Sequence, residues 1–367
     1  MITERDLEFA RMALEAAREG TGEASPNPLV GSVVVREGEV VGRGTHRYAL
    51  RKHGEVVALE DAGARARGAT VYVNLEPCSH FGRTPPCVDA LREAGVARVV
   101  ASMQDPAPYV NGRGFAMLRE AGIDVEVGPE RRAAELLNER YVRYITSGRP
   151  FVHLKLATTL DGRVATGSGA SKWITGSGAR EASQELRRAY DAILVGVRTA
   201  VADDPVLTYR GGAPKRAPLV RCVLDPDLRL PLSGRLAATA REAAVVVYAR
   251  ESAAAASADA LWAAGVEVVR VADAAGSLDL TGVLEDLGRR QVNGLIVEGG
   301  AETAGSFVDA RLVDKVTFYV APKVLGGRDS LGAVGGRPRL SLDEALELRD
   351  VTTRRLGDDL EVTGYPR

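Results

Sequence analysis

The chain has 367 residues, of which 45% are hydrophobic and 26% charged, and its formal net charge is −1. Such a composition is that of a globular protein of about two domains and excludes a disordered, collagen-like or coiled-coil architecture. Near-neutral charge argues against a nucleic-acid binder, the lack of an apolar run of about 18 residues against a membrane span, and the charged start MITERDLEFARMALEAAREG against a signal peptide, so a cytoplasmic protein is expected.

Thr3 and Asp6 have the spacing of a capping box, and Leu7, Ala10, Leu14 and Ala17 then share one helical face. Ser25-Pro26-Asn27-Pro28 is a turn, followed by a strand over 29–35 that Glu37-Gly38-Glu39 folds back on VVGRG as a hairpin. A helix over 55–67, a strand over 70–77 and a Pro- and Gly-rich loop over 77–86 come next. A helix over 87–95 stopping at Gly95, a strand over 96–102, a helix over about 112–121 and the strand IDVEVG complete an α/β layered domain. The helical stretch RRAAELLNERYVRYI and the segment Thr146 to Pro150 mark a boundary, giving expected domains of 1–146 and 150–367. Beyond it, FVHLKLA, AILVGV, LVRCVLD, AAVVVYA, EVVRV, GLIVEGG and KVTFYVAP read as strands with helices between most of them. That alternation predicts a mostly parallel, doubly wound sheet. Residues 251–265 read as an Ala-rich surface helix, and no repeat relates the two halves.

Three cysteines in a chain of this length do not make a disulfide framework. Cys78 and Cys87 instead fall in the same short stretch as His46, His53 and His80. His53-Gly54-Glu55 precedes a helix, a strand ends in Glu76-Pro77-Cys78, and Cys87 opens the next helix, where the dipole favours a thiolate. One His and two Cys are three zinc ligands with an open fourth position, the catalytic rather than the structural pattern. Glu55, two residues from the His, is placed to move a proton without ligating the metal. The set has the order of the zinc-deaminase signature, with the second part stretched to C-SHFGRTPP-C.

EPCSHFGRTPPC, with SPNPLVGSVV upstream, closely resembles the deaminase half of the bifunctional riboflavin-biosynthesis deaminase/reductase family, and the resemblance covers essentially the whole chain. It implies a cytidine-deaminase-like α/β/α domain followed by a dihydrofolate-reductase-like doubly wound domain. It makes His53, Cys78 and Cys87 the zinc ligands, Glu55 the proton shuttle, and Asn27 a contact to the substrate base. Gly54 and Lys52 depart from the family's usual Ala and Pro. His46 and His80 stay open between solvated loop residues and contacts to a substrate phosphate.

In the second half, GLIVEGGAETAGSF is a strand, a Gly-rich turn and a helix start, where backbone N–H groups can cradle a phosphate. Thr199 to Pro205 reads as a turn holding two adjacent acids. KLATTLDGRVA, SKWITG, VRTAVADDPVLTYR and VEGGAETAGSF resemble the family's reductase half. By that resemblance Ala157, Trp173, Thr199, Asp203 and Gly300, Ala301, Glu302, Thr303, Ala304, Gly305 and Ser306 match NADPH-binding positions. Ser171, Arg187, Leu207, Arg210 and Glu298 match substrate positions. Arg187 and Arg210 offer bidentate donors to a phosphate ester. Glu298 ends a strand where open α/β sheets hold ligands, and Lys155, a polar insertion in FVHLKLA, is expected to face the substrate. Cys222 is expected in the core.

The resemblance implies zinc-dependent deamination of a phosphorylated pyrimidine followed by NADPH-dependent reduction of its ribosyl chain, in a homo-oligomer that binds neither nucleic acid nor membrane. A tRNA-type base deaminase with an appended binding domain is the alternative enzyme. A non-catalytic zinc scaffold, with His80 closing the site, is the alternative of another class.

Overall fold

The computed structural model describes residues 2–274 and 277–367. They form two compact units, Met1–Gly148 with Pro214–Ala217, and Arg149–Ala213 with Pro218–Arg367. Among the described residues no helix is long and apolar enough to cross a membrane.

The first unit is built on a five-stranded sheet. Its strands are β1 (Gly31–Arg36), β2 (Glu39–Thr45), β3 (Thr70–Leu75), β4 (Arg98–Met103) and β5 (Asp124–Val127), in the order β2-β1-β3-β4-β5. β1 runs antiparallel to β2 and β3, and β3, β4 and β5 are parallel. Helices α1 (Glu4–Glu19), α3 (Cys87–Ala94) and α4 (Arg113–Glu120) follow the sequence pattern, while the helix expected over 55–67 is α2 (Gly54–Ala62), which ends at Ala62 and passes into a 3-10 turn over Gly63–Ala66. The capping box at α1 forms: Thr3 Oγ1 accepts from the Asp6 N–H, and the Asp6 carboxylate accepts from the Thr3 N–H. Asp6 also receives the Tyr72 hydroxyl at 2.7 Å and Arg98 at 2.7 Å. Burial alone would raise its pKa, but Arg98 and Thr3 hold it well below the usual carboxylate range.

The expected single helix over RRAAELLNERYVRYI is two, α5 (Arg131–Leu137) and α6 (Glu139–Ser147). The break is at Asn138, whose buried amide turns to Leu29, accepting its N–H at 2.8 Å and donating to its carbonyl at 2.9 Å. Helix α6 runs through Ser147 and stops at Gly148 (φ +70°), so the expected linker begins inside a helix.

The second unit carries a nine-stranded sheet. The strands are β6 (Phe151–Thr159), β7 (Ala192–Gly196), β8 (Val220–Leu224), β9 (Val245–Arg250), β10 (Glu267–Val271), β11 (Gly294–Glu298), β12 (Lys315–Ala321), β13 (Leu348–Leu356) and β14 (Asp359–Pro366). Their order is β10-β9-β8-β7-β11-β6-β12-β14-β13. The first seven are parallel, and β14 and β13 add an antiparallel hairpin that the sequence pattern did not single out. Parallel strands buried on both faces read as near-continuous apolar runs, which is why the seven were legible. β13 is exposed along most of its length and carries little hydrophobic signal. Two apolar clusters, one on each face, fill the unit: Leu154, Cys222, Tyr248, Leu295 and Phe307 belong to one, Ile193, Val223, Val247 and Ile296 to the other. The Ala-rich stretch is a helix over Ala255–Ala263 that buries only Leu261. β11 lies between β6 and β7, so the chain steps over it in leaving β6 and returns to fill the gap. Ligands of open α/β sheets bind at the strand carboxyl ends beside such a point.

Candidate active sites

In the first unit, β3 delivers Cys78, while His53 caps α2 and Cys87 is the first residue of α3. One ligand atom from each of the three lies within 4.8 Å of the others. His53 Nδ1 is 3.1 Å from Cys87 Sγ and 3.4 Å from Cys78 Sγ, and the Cys87 N–H points to Cys78 Sγ at 3.3 Å. The Cys87 thiol and the His53 ring bond the Cys78 sulfur and pull its pKa down, toward thiolate.

Glu55, in the first turn of α2, is buried, and its Oε2 has no hydrogen-bond partner. Burial pushes its carboxyl up to about 7. Two sulfurs and an imidazole nitrogen beside an unpartnered buried carboxylate oxygen fit a zinc ion and a water. His80 is outside this group. It is exposed and meets Tyr109 edge-on at 4.8 Å, so among the described residues nothing of the metal-ligating types closes the fourth position.

His46 is neither solvated nor free for a phosphate: it is 2% exposed. Its Nδ1 is 2.8 Å from the Lys52 carbonyl, which can only accept, so Nδ1 carries the proton. Nε2 then accepts from Asn27 Nδ2 at 3.1 Å. That fixes the Asn27 amide with Oδ1 as the atom left to receive a donor. The backbone after Asn27 is held twice, by Asn138 at Leu29 and by Asn74, which accepts the Gly31 N–H and donates to the Leu29 carbonyl, both at 2.8 Å. The glycine at 54 has a local reason as well. A Cβ there would sit 2.8 Å from the Val30 carbonyl, inside contact distance, so α2 starts closer to β1 than an alanine permits.

Sequence reasoning passed over Glu76. Its buried carboxylate gathers the N–H groups of Asp105, Gly112, Gly114 and Phe115 at 2.9–3.4 Å and so ties the loop after β4 to the strand end that leads into Cys78. A charged residue directly before Pro-Cys, at the end of an otherwise apolar strand, was the available signal. Arg83, in the stretched loop, lies over the Tyr48 ring at 4.3 Å.

In the second unit, Glu298 is the last residue of β11 and pairs in register with Lys155 of β6. Arg187, from α7 (Ser177–Ala189), donates Nη2 to Glu298 Oε2 at 2.8 Å and Nε to Oε1 at 3.3 Å, and Nη1 to the Thr208 carbonyl at 3.1 Å. It is thus an ion-pair residue, but a half-buried one, with one N–H left on each terminal nitrogen for a ligand. Burial alone would raise the Glu298 pKa; Lys155 and then Arg187 hold it at about 2. Burial lowers the Lys155 pKa, with Glu298 opposing. Its Nζ lies 5.4 Å from the centre of the Tyr319 ring. The result is a carboxylate held by two cations at the carboxyl end of β11, beside the middle of β6.

Thr199 to Asp203 are not a turn but the end of helix α8 (Val197–Asp203); Asp204, at φ +40°, stops it. Ser171 Oγ donates to Asp203 Oδ1 at 3.3 Å, which brings the loop carrying Ser171 and the exposed Trp173 to this helix. Gly299 and Gly300 both have positive φ before α9 (Ala301–Asp309), and a Cβ on Gly300 would lie 2.9 Å from Thr199 Oγ1. Such a side-chain-free cradle at a helix start fits the phosphates of a dinucleotide. Ala304 and Ser306 are turned elsewhere: Ala304 belongs to the apolar core and Ser306 Oγ returns to the Glu302 carbonyl. Leu207 is buried at φ +56°, Arg210 is exposed, and Ala157 is half-buried on β6. Cys222 is in the core, as expected.

The RibD C-terminal domain model matches residues 150–362, and the cytidine and deoxycytidylate deaminase zinc-binding region matches 3–103. The riboflavin biosynthesis protein RibD of Aquifex aeolicus is 42% identical, over 99% of this chain and 99% of that protein. The RibD of Escherichia coli (strain K12) is 41% identical, over 97% and 98%. Among solved structures, Acinetobacter baumannii RibD superposes with a TM-score of 0.89 at 34% identity, covering 99% of both chains. A diaminohydroxyphosphoribosylaminopyrimidine deaminase/5-amino-6-(5-phosphoribosylamino)uracil reductase from Thermotoga maritima does so with a TM-score of 0.85 at 33% identity, again over 99% of both.

Proposed function

The chain belongs to the RibD family of bifunctional riboflavin-biosynthesis enzymes, and from that premise we propose which of its residues perform the two reactions. Region 1–146 removes ammonia hydrolytically from diaminohydroxyphosphoribosylaminopyrimidine, and region 150–367 reduces the ribosyl chain of the product to ribityl with NADPH. The observation that carries this reading is the grouping of His53, Cys78 and Cys87, with the buried Glu55 two residues from His53 and its Oε2 unpartnered. Full-length similarity to RibD proteins supports it over a tRNA-type deaminase.

His53, Cys78 and Cys87 would hold zinc, which when bound supplies a Lewis acid that makes water nucleophilic at neutral pH. Asn27 Oδ1, fixed through His46, receives a donor from the pyrimidine and aligns the amine-bearing carbon. Glu55 takes a proton from the attacking water and delivers it to the departing amine, so water enters and ammonia leaves.

In the second region Thr199, Asp203, Trp173, Ala157 and the helix start from Gly300 to Thr303 hold NADPH, which supplies the hydride. Arg210 and the free N–H groups of Arg187 take the phosphate. Ser171 and Leu207 line the sugar, and Lys155 and Glu298 hold the ring-opened imine end, whose carbon receives the hydride. Charge balance supports a phosphorylated small molecule rather than nucleic acid as the partner. A homo-oligomer is the proposed assembly, and the cytoplasm the proposed compartment. The test is product analysis with the pyrimidine substrate. Without NADPH the deaminated intermediate should accumulate; with NADPH it should pass on to the ribityl product.

A further inference from the structure

Arg221 lies in the middle of a parallel sheet, on β8, and is 0% exposed. Its Nη1 donates to the Val206 carbonyl at 3.1 Å and to Thr239 Oγ1 at 2.7 Å. Its Nη2 donates to the Thr239 carbonyl at 2.8 Å and to the Ala243 carbonyl. All these acceptors are neutral, and Nε has no partner. A buried charge so arranged is poorly explained by stability, because apolar residues of similar volume commonly serve as well or better. The signal that drew attention to Lys155, a charged residue inside an apolar strand, was equally present in LVRCVLD.

What the guanidinium does is tie one backbone atom to the body of the unit. Val206 precedes Leu207, whose φ of +56° is a conformation that residues with a side chain avoid. Residues 204–210 have no regular secondary structure. They are pinned at alternate positions: Arg221 holds the Val206 carbonyl, Arg187 the Thr208 carbonyl, and Gln184 Oε1 the Arg210 N–H at 2.8 Å. Between and at these pins sit Leu207 and Arg210. Arg187 can reach a ligand; Arg221, enclosed, cannot.

We infer that Arg221 is a positioning residue for the reduction, its buried guanidinium setting the Val206 carbonyl and thereby the places of Leu207 and Arg210 against the phosphorylated substrate. The inference rests on the reading of Leu207 and Arg210 as substrate residues. Displacement of a binding group by about an ångström can cost up to about 100-fold.

The experiment measures reduction of the deaminated intermediate by the full-length, zinc-loaded protein, with KM taken separately for that intermediate and for NADPH. Arg221→Met should raise the intermediate's KM at least about tenfold and leave the NADPH KM and the deamination rate unchanged. Arg221→Lys should recover little, since one ammonium cannot span Val206 and Thr239 as the planar fork does. Thr239→Val, which removes a single acceptor, should shift the same KM by a smaller factor, and it decides the matter if Arg221→Met does not fold. Unchanged KM in the folded variants, or a loss shared equally by NADPH binding and deamination, overturns the positioning role. Arg210→Ala is run alongside. If it leaves the KM unchanged, the substrate reading of the loop has failed; if it raises the KM while the Arg221 and Thr239 variants do not, only the positioning inference has.

Discussion

The two candidate sites are assembled in opposite ways. The metal-ligand set of the first unit comes from positions 53 to 87 and uses scarce residue types, two of the chain's three cysteines and one of its four histidines. The charged cluster of the second unit draws on positions 155, 187 and 298, and Arg and Glu are common throughout the chain. What brings them together is strand order: β11 inserts beside β6, so Glu298 lands next to Lys155 in register, and α7 swings Arg187 over both. A site made of rare donors announces itself in sequence, whereas one made by topology shows only once the sheet is built.

The sharpest way to break this comparison is at the ligands. Cys87→Ala removes a buried donor from the metal set and should abolish deamination, by more than about 100-fold, with reduction of the deaminated intermediate unaffected. Zinc content measured beside both activities checks it; retained zinc and retained deamination would remove Cys87 from the site.

The charged cluster offers the next largest effect. Glu298→Gln leaves Lys155 and Arg187 as cations without their carboxylate and should cost about 3–5 kcal/mol at pH 7. Because the folded-state pKa of Glu298 is depressed to about 2, its stabilisation is complete above the unfolded value near 4.3 and is lost as pH falls toward about 2. The parent protein should therefore lose melting temperature between pH 4 and 2 more steeply than the variant. Parallel curves over that range would mean that Glu298 is not ionised when folded.

Arg210→Ala sharpens the comparison within the second region. A lost charge-assisted bond to phosphate is worth roughly 1.5–3 kcal/mol, or about 10- to 150-fold in affinity. The KM of the intermediate should rise by that factor while deamination is untouched. Smallest is Thr3→Ala, which removes the α1 cap and should destabilise the first unit by about 0.5–2 kcal/mol; chemical denaturation followed through the deaminase activity measures it.

The layering, the seven parallel strands and the metal set were legible because apolar runs, turn residues and soft ligands each carry a local signature. Four things were not. The helix break at Asn138 is set by a partner 109 positions away. His46 looked like a loop residue because nothing nearby in sequence shows that Lys52 and Asn27 close around it. The end of α8 read as a turn because Asp-Asp-Pro is a turn signal; it does stop the helix, at Asp204, but Thr199 to Asp203 before it are helical. The β13–β14 hairpin, polar on its outer strand, lacks the periodicity that identifies a strand.

The central claim is that two chemistries proceed at two independently built sites. Glu55→Gln tests it most directly, because the amide keeps the side chain's size and spares the three ligands but cannot relay a proton. General acid–base assistance is typically worth about 10²–10⁴-fold, so deamination should fall by at least about 100-fold. When the same variant, folded and zinc-loaded, is given the deaminated intermediate, NADPH absorbance should fall at the parent rate. Collapse of that second rate together with the first would mean that the sites are shared or coupled, and would contradict the account.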